Sequence, residues 1–259
     1  MKKLVKNQLQ IRISDSRVAM GQLAAEDFAD ELKKLLDVRE NLRVIFASAP
    51  SQKEFFAHLT TIEGIDFSRI TAFHLDEYIG LEADAPQGFG NFLRDHLFSK
   101  LSLKAIHYIN GQASDPEAEC VRYSALIAEA PIDIVCMGIG ENAHIAFNDP
   151  PVADFNDPKL VKIVELDKIC RQQQVNDGCF AAFDDVPAYA ITLTIPAIMS
   201  AKSIYCMVPG PTKADAVYNS LEKEVSTEYP ASILRNHASA TMYLDLESSS
   251  RLVLPTVSG

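Results

Sequence analysis

The chain has 259 residues, 47% of them hydrophobic, with a mean hydropathy near zero and a net charge of −11 from 24 basic and 35 acidic side chains. That length can bury one large core, and no run of about 18 apolar residues exists to cross a membrane. The acidic balance disfavours nonspecific contact with nucleic acid, so an anionic small substrate would have to be held by a few local cations and backbone amides.

The first residues carry lysines but pass at once into an alternating strand pattern over about residues 8–13, with no apolar core of a secretory signal. This points to the cytoplasm and leaves no room for a DNA-binding segment ahead of the fold. A long amphipathic helix is expected over 16–36, then an apolar strand over 42–47. The strand runs into Ser48-Ala49-Pro50-Ser51 and a helix over 51–59, where two hydroxyls and free helix amides could grip a phosphate. Either serine could equally be a helix cap.

A third strand, 70–74, leads into His74-Leu75-Asp76-Glu77-Tyr78-Ile79-Gly80-Leu81. In extended backbone Asp76 and Glu77 point to opposite faces, so only one need enter a crevice. A partly desolvated carboxylate there suits proton abstraction next to a carbonyl, although a bare Asp-Glu pair also reads as a solvated turn. A helix near 90–101, a strand around 106–109 and a helix over 115–129 follow.

The most informative stretch is 133–150. A strand over 132–137 is apolar at nearly every position, as in a parallel sheet buried on both faces. It ends in a glycine-bearing turn that carries Asn142, His144 and Asp149. In open α/β sheets ligands sit beyond the carboxyl ends of the strands. An imidazole placed there can exchange protons near neutral pH, with a carboxylate to orient it. Further strands are expected over 161–166, 190–193, 203–208 and 241–244. The stiff turn Pro209-Gly210-Pro211 leads a helix whose first turn holds Lys213, a cation that the helix dipole disfavours unless an anion is near.

The alternation implies right-handed βαβ units in a mostly parallel sheet with helices on both faces. No repeat, low-complexity tract or linker divides the chain, so one domain, 1–259, is expected. Cys120, Cys136, Cys170, Cys179 and Cys206 show no CxxC spacing and read as reduced thiols, with neither a disulfide frame nor a zinc site indicated.

Taken together, DEYIGL at 76–81, GIGENAHIAFNDP at 138–150 and PGPTKADAV at 209–217 resemble the glucosamine-6-phosphate deaminase/isomerase family, which shares its Rossmann-like fold with 6-phosphogluconolactonases. The match runs in order from the Ser48 loop to the Lys213 helix. HIAFN and DEYIGL look deaminase-like, whereas lactonases usually carry a threonine after the histidine. The resemblance implies conversion of glucosamine 6-phosphate to fructose 6-phosphate and ammonia, with no metal, nucleotide or flavin. His144 would open the sugar ring, oriented by Asn142 and Asp149. Asp76 would carry the proton from C2 to C1, and Ser48, Ser51, Arg171 and Lys213 would hold the phosphate. Because family members occur as monomers and as hexamers, the resemblance leans only slightly to a homo-oligomer; it implies no nucleic-acid or membrane partner.

Two departures stand out. Family members typically have Asp-Gly at Asn142-Ala143 and Glu at Asp149. Asn142 can hydrogen-bond but cannot stabilise an imidazolium coulombically, with Glu141 a candidate to supply the charge. Ala143 tolerates positive φ less well than glycine. Asp149 is shorter than Glu by a methylene, about 1.5 Å of reach. The segment after Pro150 does not match the basic pocket by which some relatives sense N-acetylglucosamine 6-phosphate, so that control is not expected. The alternatives are another sugar-phosphate isomerase, such as one acting on galactosamine 6-phosphate, a 6-phosphogluconolactonase, or a non-catalytic sugar-phosphate sensor.

Overall fold

The computed structural model describes residues 1–176 and 178–253. The chain opens on an antiparallel hairpin, β1 (Lys2–Lys6) and β2 (Leu9–Ile13), whose turn holds Asn7 at φ 53, a conformation that Asn tolerates better than most residues. Helix α1 (Arg17–Val38) follows, its first turn capped by Ser16 Oγ, which accepts from Ala19 N. Next come β3 (Leu42–Phe46), α2 (Lys53–Leu59), β4 (Ile70–His74), the short β5 (Asp76–Tyr78) and α3 (Phe89–His96). The middle of the chain supplies β6 (Ala105–His107), α4 (Pro116–Ala128), β7 (Ile134–Met137), β8 (Val161–Glu165) and α5 (Lys168–Asn176). The last elements are β9 (Tyr189–Leu193), α6 (Ile195–Met199), β10 (Ser203–Val208), α7 (Ala214–Glu222) and β11 (Ala240–Leu244).

Eight strands form one sheet in the order β1-β2-β11-β10-β7-β3-β4-β6, parallel throughout except for the β1–β2 hairpin. The unbroken apolar strands need cover on both faces and receive it. On one face α1 and α2 bring Phe28, Leu32, Phe55 and Phe56 against Val44, Phe46, Ile134 and Cys136. On the other, α4, α6 and α7 bring Tyr123, Ile198, Val217 and Leu221 against Ile45, Val135, Met137 and Cys206. Consecutive residues of β3 and β7 thus alternate between the two cores, as the two-residue period of a strand requires. Each large side chain so buried stabilises the fold by about 1.5–3 kcal/mol.

Chain order fixes where a ligand can sit. From β3 the chain moves outward through β4 to β6, then returns to β7 on the other side of β3 and continues to β10 and β11. The β3/β7 boundary is therefore the switch point, where loops leaving the carboxyl ends of neighbouring strands diverge and open a crevice. Ala47 N donates to Cys136 O at 2.8 Å just below it, holding the two strand ends together.

The strands at 161–166 and 190–193 do not join the main sheet. As β8 and β9 they form a second, antiparallel sheet with β5 in the order β5-β9-β8, in which Asp76 pairs with Thr192. Only Val161 and Val164 of β8 are buried, Lys162 and Ile163 are half-buried and Glu165 is exposed, so this sheet is not covered on both faces as the main one is. This small sheet lies against the loop after β7: Thr192 Oγ1 accepts from Phe147 N at 3.1 Å, and Leu193 O accepts from Asn148 Nδ2 at 2.8 Å. The helix expected near 90–101 is shorter, ending at His96 before a 3-10 turn at Phe98–Lys100.

Candidate active site

A cavity of about 550 Å³ opens at the switch point, lined in part by Ser48, Ser51, Asp76, His144 and Lys213. These residues come from loops after β3, β4, β7 and β10, four parallel strands whose carboxyl ends share one edge. The remaining expected residues fall into two groups: Asn142 and Asp149 stand behind His144, and Arg171 lies elsewhere.

Asp76 begins β5, so its side chain and that of Glu77 leave the strand on opposite faces. Asp76 faces the large cavity, while Glu77 lines a separate one of about 290 Å³. Glu77 accepts from Tyr78 N at 3.0 Å, Phe89 N at 2.9 Å and Gly90 N at 2.8 Å, which ties β5 to the start of α3. Burial, then the neighbouring charge of Glu77, holds the Asp76 carboxyl well above the ordinary carboxylate range. Glu77 is also raised by burial, despite its three backbone donors. One residue before the strand break, His74 is pushed down to about 4 by burial. Its Nε2 accepts from Ile109 N at 2.9 Å, so the ring is a neutral structural group.

The loop after β7 is built around the Asp149 carboxylate. His144 Nδ1 lies 2.9 Å from Asp149 Oδ1, and Asn142 Nδ2 donates to the same oxygen at 2.8 Å. Asn142 Oδ1 accepts from His144 N at 3.1 Å, an Asx turn that leaves the residue between them at φ 65. That residue is Ala143, and a non-glycine there costs about 1–3 kcal/mol. The strain is held by Ala143 N donating to Gly140 O at 3.0 Å and by Ala143 O accepting from Ala231 N at 2.9 Å. The turn therefore keeps the positive φ that glycine would supply instead of reshaping. Gly140 is required for a separate reason: a Cβ there would stand 2.1 Å from the His144 ring.

Burial alone would raise the Asp149 carboxyl. The charge that His144 carries when protonated, with its Nδ1 2.9 Å away, and the hydrogen bonds from Asn142 and Cys170 outweigh it and hold Asp149 below the ordinary range. Glu141 does not supply a charge to this group: it lines a shallow depression with Lys168 and Gln172, apart from the cavity.

At the other end of the cavity Lys213 is buried in a 3-10 turn after β10. Gly210, at φ 92, begins that turn and donates its N–H to Asp245 Oδ2 at 2.9 Å. Ser48 Oγ is buried without a hydrogen-bond partner, a cost that a ligand oxygen would relieve. Ser51 Oγ accepts from Gln52 Nε2 at 3.0 Å, and Gln52 Nε2 also reaches Met137 O at 3.2 Å. A hydroxyl-bearing concavity beside an ammonium suits a phosphate.

Arg171 does not line the cavity. Its guanidinium donates to Phe183 O at 3.0 Å and Val186 O at 2.7 Å and lies 4.1 Å from the Phe183 ring centroid. The cations that do line it with Lys213 are Arg17 and Lys53, together with Gln173 and Gln174 of α5. Arg17 opens α1, just past the three residues that follow the carboxyl end of β2, and that position was the signal in the sequence. Its guanidinium bonds Pro50 O and, at 2.7 Å, Glu54 Oε1, bracing the Ser48 loop. Gln173 Oε1 accepts from Glu141 N at 3.0 Å, so α5 fastens the loop after β7 from above.

Residues 15–243 match the family described as glucosamine-6-phosphate isomerases/6-phosphogluconolactonase. A glucosamine-6-phosphate deaminase of Listeria innocua is 37% identical over 206 residues, 80% of this chain and 86% of its own. One of Bacillus cereus is 37% identical over 219 residues, 85% and 81% of the two chains. Among solved structures, a monomeric glucosamine-6-phosphate deaminase is similar with a TM-score of 0.85 at 31% identity, covering 93% of this chain and 98% of that one. A 6-phosphogluconolactonase from Shewanella baltica gives 0.72 at 20% identity over 91% and 97%, a likeness of fold alone.

A carboxyl whose proton affinity is raised by folding keeps its proton where the unfolded chain, with a value of about 3.9, has lost it. Stability therefore falls as pH climbs from that value through the folded one. Asp76→Asn removes the buried charge, so the variant melts at a higher temperature than the native protein at pH 8. The difference narrows as pH is lowered toward 4, which calorimetry across that range checks.

Proposed function

The chain belongs to the glucosamine-6-phosphate isomerase/6-phosphogluconolactonase family, and from that premise we propose that it is a glucosamine-6-phosphate deaminase, releasing ammonia and fructose 6-phosphate. The observation that carries this reading is that Asp76 and His144, brought by separate crossover units, line one cavity with Lys213 and the unpartnered Ser48 hydroxyl. Relatives at 37% identity over most of the chain bear that name.

In this mechanism the substrate phosphate is held by the Lys213 ammonium and the Ser48 and Ser51 hydroxyls. His144, oriented by Asp149 and the Asn142 turn, takes the proton of the anomeric hydroxyl and delivers one to the ring oxygen, giving the open-chain aldehyde. Asp76, as carboxylate, removes the proton from C2, the electron pair forms the C1–C2 double bond of the enolamine, and O1 takes up a proton that is balanced by the one the amino nitrogen gives up when the imine forms. The same carboxyl returns its proton to C1, leaving an imine at C2. Water adds to the imine carbon and ammonia departs, so one water is consumed and no oxidant is needed. A base with raised proton affinity suits a carbon acid better than an ordinary surface carboxylate would.

The reaction is read as cytoplasmic. The five cysteines are all free thiols, as fits a reducing compartment, and among the described residues no helix is long and apolar enough to cross a membrane. The net charge of −11 gives no support to a nucleic-acid partner. Self-association adds nothing that this site requires, since one chain carries its base, its imidazole and its phosphate ligands.

The test follows ammonia and fructose 6-phosphate together after mixing purified protein with glucosamine 6-phosphate. Equal release of both is the expected result. Ketose from a non-amino sugar phosphate without ammonia would favour a different isomerase, and binding without either product would favour a sensor. Lys213→Ala should raise KM by about 10–100-fold, the worth of roughly one charge-assisted contact, with a smaller change in kcat. An unchanged KM would remove Lys213 from the phosphate site.

A further inference from the structure

The fold brings Cys170 of α5 to the His144–Asp149 pair of the loop after β7. A ring nitrogen of His144, an Asp149 carboxylate oxygen and Cys170 Sγ lie within 4.8 Å of one another, and His144 Nδ1 is 2.9 Å from Asp149 Oδ1. We propose that these three atoms form an inhibitory binding site for a borderline-soft divalent cation such as Zn²⁺. The inhibition rests on the reading of His144 as the ring-opening group; the binding itself does not.

The donor set selects the cation. One thiol, one imidazole and one carboxylate match the usual ligands of zinc and cobalt, whereas Mg²⁺ and Ca²⁺ require mostly oxygen. With zinc bonds of about 2.0–2.3 Å, tetrahedral ligand atoms stand about 3.3–3.7 Å apart. The pair at 2.9 Å has to open slightly and the sulfur has to approach by no more than about 1.5 Å, within the reach of side-chain rotation. Asp149 and Cys170 are each 1% exposed and His144 is 9% exposed, and only His144 of the three lines the cavity. A cation therefore has to enter from the substrate cavity past the His144 ring, and water would complete its shell.

The chain is arranged to offer Cys170 here and nowhere else. Helix α5 is fastened over the loop after β7 by Gln173 Oε1, which accepts from Glu141 N, and Cys170 lies one turn earlier on the same helix. On binding, the S–H bond of Cys170 breaks, its proton leaves to solvent, and a sulfur–metal bond forms as the six-coordinate aqueous cation sheds about five waters to become tetrahedral with one water retained. No electron is transferred. Once Nδ1 is bound to the metal, the imidazole is withdrawn from Asp149 and cannot shuttle a proton at the anomeric centre.

The experiment titrates chelator-treated full-length protein with Co²⁺ as the spectroscopic probe. One equivalent should produce a thiolate-to-cobalt charge-transfer band together with intense tetrahedral ligand-field bands, with Zn²⁺ displacing both. Cys170→Ala and the closer-packed Cys170→Ser should each lose the charge-transfer band. Each should also bind the metal at least about 100-fold more weakly, since losing an inner ligand exceeds the 10–100-fold cost of losing an outer one. Cys179→Ala should keep the band. Zn²⁺ should inhibit native turnover and leave Cys170→Ala turnover largely untouched. A band that survives both Cys170 variants, or cobalt binding with no such band, would overturn the proposal. Should the native protein lack deaminase turnover, the spectra still decide the metal site, and only the reading of function falls.

Discussion

The Asp149 carboxylate is the interaction on which the site depends. It is almost fully buried, and a single oxygen meets both the His144 ring and the Asn142 amide. Its own backbone carbonyl accepts from Val152 N and Ala153 N, which turns the chain toward the small antiparallel sheet. A buried carboxylate is costly unless each lone pair finds a donor, and here the donors are the groups that must be positioned. The strained Ala143 and the absence of a side chain at Gly140 follow from the same demand. The turn has to close tightly enough to bring the imidazole over the glycine and its Nδ1 onto the carboxylate.

Two buried carboxyls in one site are driven in opposite directions. Among the described residues Asp76 forms no ion pair, and a second carboxyl stands beside it in sequence, so desolvation prevails and its proton affinity rises. Asp149 has an imidazole and neutral donors around it, which outweigh the effect of its own burial. Such divergence separates roles: one carboxyl trades a proton with carbon, and the other stays ionised to orient its neighbour. Asn142 fits this division. It supplies a hydrogen bond to Asp149 without adding a second negative charge, so the carboxylate is shared by two donors rather than set against a like charge.

Much of this was legible in the residues. The apolar runs of β3, β7 and β10 announced a doubly covered parallel sheet, and the two-residue strand period placed Asp76 and Glu77 on opposite faces. The match of motifs from the Ser48 loop to the Lys213 helix led to the family. Three things were hidden for physical reasons. Helix α5 reads KICRQQQVN, which is too polar for an apolar periodicity, so its role over the loop and the place of Cys170 could not be seen. β8 and β9 look like any strands in isolation; only the pairing of Asp76 with Thr192 shows that they form a separate sheet. Arg171 sits beside residues of the site in sequence but spends its donors on the carbonyls of 183 and 186, because a half-turn of helix decides which way a guanidinium faces. Arg17, distant in sequence, comes to the cavity instead.

The measurement closest to the central claim follows hydrogen at carbon. When glucosamine 6-phosphate deuterated at C2 is turned over in ordinary water, the fructose 6-phosphate formed by the native protein should carry deuterium at C1, less whatever the Asp76 carboxyl exchanges with solvent on the way. Asp76→Asn should lower that conversion by about 10²–10⁴-fold, the usual worth of a positioned base, while binding the sugar phosphate with little change. Deuterium delivered to C1 at the native rate by Asp76→Asn would contradict the account, since some other group would then carry the proton.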